Sequence, residues 1–73
     1  MTQLIRDAQA QLSTSLVYEF ATHWLTAYEQ GFSNTDCTHH AMHLTNVSLS
    51  VPEHREIARR ALSIVSDSGV NLH

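Results

Sequence analysis

The stretch Asp36-Cys37-Thr38-His39-His40-Ala41-Met42-His43 gathers a carboxylate, a thiol and three imidazoles into eight residues. His39 and His43 are four apart, so on a helix they share a face, the arrangement by which two imidazoles grip zinc. Cys37 or Asp36 can supply a further ligand, and His54 or His23 can approach in the fold. Against a structural zinc site stands the ligand count, because such sites commonly use two spaced pairs with several cysteines. This chain has one cysteine. His39 and His43 also fall off the apolar stripe Cys37-Ala41-Leu44, which places them in solvent. A metal-stabilised binding module built on Cys37, His39 and His43 is therefore the second reading, and no metal or other cofactor is the first.

Cys37 near a helix start is also a candidate nucleophile, since the helix dipole favours the thiolate there. Catalysis further needs an oriented base, an oxyanion site and a cleft that excludes water. A three-helix chain of this size has little room for one. Cys37 sits on the apolar stripe, where a small buried residue is the ordinary expectation. His54 lies in the apolar arc of the last helix and is expected as a half-exposed ring at the core edge. Glycine-rich phosphate loops, paired catalytic carboxylates and calcium-loop spacing are all missing, so no enzymatic activity is expected.

Three helical segments must carry these residues, with no repeat and no low-complexity tract. The first runs roughly from Thr2 to Gln30. Its apolar residues recur every four positions, through Leu4, Ala8, Leu12, Leu16, Phe20, Trp24 and Tyr28, a helical spacing. Gly31 supplies the stop. Four residues overshoot one turn by about 40°, so the stripe drifts around the helix. The apolar residues from Leu16 to Tyr28 cover about 200°, while Leu4, Ala8 and Leu12 point where the polar face later lies. Either the helix breaks or bends at Ser13, Thr14 and Ser15, which compete for backbone hydrogen bonds, or its first half projects and packs on a partner.

The second segment spans about Asn34 to Thr45, with Ser33 and Asp36 as its start signal. Val47, Leu49 and Val51 then alternate with polar residues as an extended connector. In the third, Ser50 and Glu53 match a capping box, with Pro52 in the first turn. Ile57, Ala58, Ala61, Leu62, Ile64 and Val65 form one arc, and Glu56 stands four before Arg60. Gly69 ends the helix, and Val70 can fold back on it. The fold class is all-α: a single small three-helix domain over 1–73, with a long first helix as central beam and the last packed hairpin-like against it. The aromatics Tyr18, Phe20, Trp24, Tyr28 and Phe32 fall within fifteen residues, mostly as core, with part of the cluster open to anchor a partner.

Composition narrows function further. The charge is −3, and all four basic residues are arginines. That cannot build the broad cationic stripe that nucleic-acid binding rests on. No apolar run approaches the roughly 20 residues of a membrane span, and no signal-peptide layout opens the chain. One cysteine fits a reducing compartment, so a cytoplasmic location is expected. A domain this short buries only about 60% of its unfolded surface, and its amphipathic helices carry more apolar surface than it can hide. The expectation is a non-enzymatic adaptor, a regulator or inhibitor of the size that phages and mobile elements encode, occluding a partner protein. The contact surfaces expected are Leu4, Ile5, Ala8 and Leu12 on the first helix and Arg55, Arg59 and Arg60 on the last. Either could instead serve a homodimer.

Overall fold

The computed structural model describes the backbone of residues 2–70 and 72, and side chains from Thr14 through Val70 together with Leu72. Three helices follow in order: α1 (Thr2–Glu29), α2 (Asn34–Thr45) and α3 (Pro52–Asp67). Among the described residues there is no strand, and the connector around Val47 to Val51 forms turns and irregular backbone. The all-α, three-helix architecture is that expected.

The helix α1 is continuous through Ser13-Thr14-Ser15. Each of these residues costs about 0.5 kcal/mol against alanine in a helix, too little to end one whose following turns are anchored in the core. The molecule measures 46 × 23 × 18 Å, and a 28-residue helix, about 42 Å long at 1.5 Å per residue, accounts for its long axis.

Two of the helix ends follow one design. Gly31 takes a φ of 92°, its N–H bonds the Tyr28 carbonyl at 3.0 Å, and the Phe32 N–H reaches back to the Ala27 carbonyl at 3.2 Å. This pair of bonds is the Schellman closure, which satisfies carbonyls that the helix end leaves open. At the end of α2 the left-handed residue is Asn46, with φ 58° and ψ 34°. Its N–H reaches His43 and that of Val47 reaches Met42. Asparagine tolerates this conformation better than other residues with a Cβ.

Both α2 and α3 pack against α1 and not against each other. The core comprises Val17, Phe20, Ala21, Trp24 and Ala27 from α1, Cys37 and Ala41 from α2, Val47 beyond it, and Ile57, Ala58, Ala61 and Val65 from α3. Val70 folds back onto it as expected. The second half of α1 is thus the central beam.

Two sequence expectations are corrected here. Leu44 is half exposed, and Thr45 is buried in its place. The buried row is Cys37-Ala41-Thr45, and the Thr45 hydroxyl donates to the Ala41 carbonyl at 2.7 Å, so its burial leaves no polar atom unsatisfied. The capping box of α3 does not form either. Val51 is the N-cap residue and its aliphatic side chain makes no cap bond; Ser50 falls one position earlier, its hydroxyl bonded to that of Ser48 at 2.8 Å. In α2, by contrast, the Ser33 hydroxyl does accept the Asp36 N–H, at 3.2 Å.

Candidate partner-binding groove

The aromatic cluster divides in two. Phe20 and Trp24 are fully buried, whereas Tyr18, Tyr28 and Phe32 are exposed at 59%, 41% and 41%. Tyr28 stacks on Trp24 with ring centres 5.6 Å apart. Phe32 meets His40 edge-on at 5.8 Å. Tyr18 has no such ring partner among the described residues.

Tyr18 instead borders an open groove of about 270 Å³ between α1 and α3, lined by Thr14, Val17, Tyr18, Arg59, Arg60, Ser63 and Ile64. One wall is the rim of the α1 apolar arc. On α3 the lining residues fall in two rows of four-residue spacing, Arg59 with Ser63 and Arg60 with Ile64, so the wall grades from cationic to apolar. The described lining contains no carboxylate.

Glu56 holds the arginines in place. Arg59 grips it bidentately, Nη2 to Oε1 at 2.6 Å and Nε to Oε2 at 3.0 Å, and Arg60 Nε lies 3.7 Å from Oε1. The hydrogen bond from Arg59 holds the Glu56 carboxyl below its ordinary value, with the nearby arginine charges adding to it. All three side chains are largely exposed, so the cluster is screened and stabilises the fold little. Two guanidinium groups against one carboxylate leave a net positive charge at the rim. Arg55 is exposed and makes no ion pair among the described residues.

Of the partner-binding residues expected from the sequence, Arg59 and Arg60 line this groove and Arg55 does not. The side chains of Leu4, Ile5, Ala8 and Leu12 lie outside the described residues. Sequence reasoning missed Val17, Tyr18, Ser63 and Ile64 as one site. The signal was the 200° apolar arc of α1, wider than one packed neighbour needs.

Cys37 is fully buried, and its Sγ lies 3.6 Å from the Phe32 carbonyl, to which it donates. Burial pushes its thiol above the ordinary value, and the negative charge of Asp36 adds to this. The small buried residue that its place on the apolar stripe implied is what the structure shows, with desolvation the largest influence on the thiol. His39 and His43 are exposed, opposite the buried face, so the structure does not bring Cys37 together with them. Among the described residues no group of three or more histidine, cysteine, aspartate or glutamate side chains is placed to hold a metal ion. His54 is half-buried, as expected, and its Nδ1 accepts the Ser48 N–H at 3.0 Å.

No helix among the described residues is long and apolar enough to cross a membrane. No protein-family model matches the chain, and no curated protein or solved structure is significantly similar to it.

Proposed function

We propose that this chain is a non-enzymatic regulator or inhibitor that binds another protein and occludes its surface. The observation that carries this reading is the groove between α1 and α3, an apolar floor beside Tyr18 with Arg59 and Arg60 on its rim. Tyrosine and arginine dominate binding energy where interfaces are mapped residue by residue. The charge balance says what fits. Three of the four basic residues lie between positions 55 and 60 of a chain whose net charge is −3, so this end of α3 is locally positive. The occupant is therefore an acidic, partly apolar segment of a partner protein, its carboxylates meeting the arginines and its apolar side chains meeting Val17 and Ile64.

The test is capture of partners from the producing cells by wild type and by Tyr18→Ala/Arg60→Glu, followed by affinity measurement with the purified partner. Glu19→Gln, an exposed change on α1, serves as control. Wild type and control should retain the same protein, and the double variant should bind it at least about tenfold more weakly, or about 1.4 kcal/mol. A folded double variant that binds the partner like wild type overturns the groove. Light scattering that shows a wild-type dimer broken by the double variant assigns the groove to a second copy instead.

A further inference from the structure

We propose that His39 and His43 form a two-imidazole site for a borderline divalent transition metal, zinc in the first instance, on the outer face of α2. The inference is independent of the groove and differs from a site that includes Cys37, whose sulfur is buried. Side chains four apart on a helix lie one above the other, with Cβ atoms about 5–6 Å apart. That spacing suits two ring nitrogens converging on one ion at about 2.0–2.1 Å. Both residues stand about 160° around the helix from buried Ala41, both are exposed, and neither imidazole has a hydrogen-bond, ion-pair or ring partner among the described residues.

Their neighbours are committed elsewhere. His40 packs against Phe32, and His54 Nδ1 is taken by the Ser48 amide. The helix beneath the pair is fixed at both ends, by the Ser33 cap and by left-handed Asn46, so little backbone ordering is required when the ion binds. Imidazole ligands suit zinc, copper and nickel rather than calcium or magnesium. Two protein ligands leave coordination positions that face solvent, where water completes the shell.

The test is calorimetric titration of zinc into the full-length chain without an affinity tag, near neutral pH, with copper and magnesium as comparators. One zinc per chain is expected, copper should bind more tightly, and magnesium should give no heat. Because two linked ligands bind far better than either alone, His39→Ala and His43→Ala should each weaken zinc binding by about a hundredfold. His23→Gln, His40→Gln, His54→Gln, His73→Gln and Cys37→Ala should bind like wild type. Both alanine changes are at exposed positions, and helical circular dichroism should be unaltered. No zinc heat from the wild type overturns the proposal, as does undiminished binding by either alanine variant. Binding that disappears with Cys37→Ala or His54→Gln assigns the ion to a different site.

Discussion

The indole N–H of Trp24 donates to the hydroxyl of Thr38 at 3.0 Å, and that hydroxyl donates onward to the Asn34 carbonyl, also at 3.0 Å. The relay ties α1 to α2 at a fully buried aromatic ring, and it lets a large side chain enter the core without stranding its polar atom. Thr38→Val keeps the shape and removes the acceptor. It should destabilise the chain by about 1–2 kcal/mol, the cost of an unsatisfied donor at a partly buried site, read as a lower urea midpoint at unchanged slope. Thr38→Ser should recover most of the loss. Equal stability for Thr38→Val and wild type would mean that the indole N–H finds another partner.

The two serines at helix starts separate sequence pattern from structure. Ser33→Ala removes an acceptor for the Asp36 N–H and should cost about 1 kcal/mol. Ser50→Ala should cost clearly less, although Ser50 carries the better-looking capping box, because its hydroxyl bonds Ser48 and not the helix. Thermal melts of the two variants side by side decide this. Equal losses would put the Ser50 hydroxyl on the α3 N-terminus in solution.

Asn46 closes α2 with a φ of 58°. Asn46→Ala should therefore destabilise by about 1–2 kcal/mol, the penalty for a Cβ in the left-handed region, while Asn46→Gly should be close to neutral. Alanine and glycine variants of equal stability would show that this residue leaves the left-handed region in solution.

What the sequence makes legible, and what it hides, follows from how local each determinant is. The helices, the Gly31 stop and the Ser33 cap rest on neighbours within one turn, and they read correctly. The face of α2 does not, because hydropathy favours Leu44 whereas the buried row runs Cys37-Ala41-Thr45, with the Thr45 hydroxyl satisfied by the Ala41 carbonyl. Ser50 and Glu53 have the right types at the right spacing, yet the helix starts one residue later, with Val51 as its N-cap. The groove is visible in the sequence only as surplus: an α1 arc too wide for its neighbours and an arginine cluster on α3. That Tyr18 and Arg60 border the same depression depends on how α3 lies against α1, which no local pattern encodes.

Cys37 links stability to pH. Burial raises its thiol above the ordinary value near 9, so the folded chain keeps a proton that the unfolded chain releases. The sign follows from linkage: stability is fully present below the ordinary value and is lost as pH rises through the raised one. Urea midpoints across the alkaline range should fall more steeply for wild type than for Cys37→Ala, a comparison in which other groups titrating there cancel. The thiol should also resist alkylating reagents until the chain opens. Parallel pH profiles for the two proteins would mean that the sulfur is more hydrated than its packing implies.

Tyr18 and Phe20 stand two positions apart on α1 with opposite surroundings, one 59% exposed and the other fully buried. Phe20→Ala opens a cavity in the shared core, and should cost about 3–5 kcal/mol. A domain of this size has little more than that to lose, so the variant should be largely unfolded at body temperature. Tyr18→Ala removes a ring that packs against little and should leave the melting temperature within a few degrees of wild type. The pair thus separates folding from the proposed recognition: a Tyr18→Ala chain that stays folded but loses the partner is the outcome expected if the groove is used as proposed. If Tyr18→Ala melts as early as Phe20→Ala, the ring belongs to the core and the groove closes over it in solution.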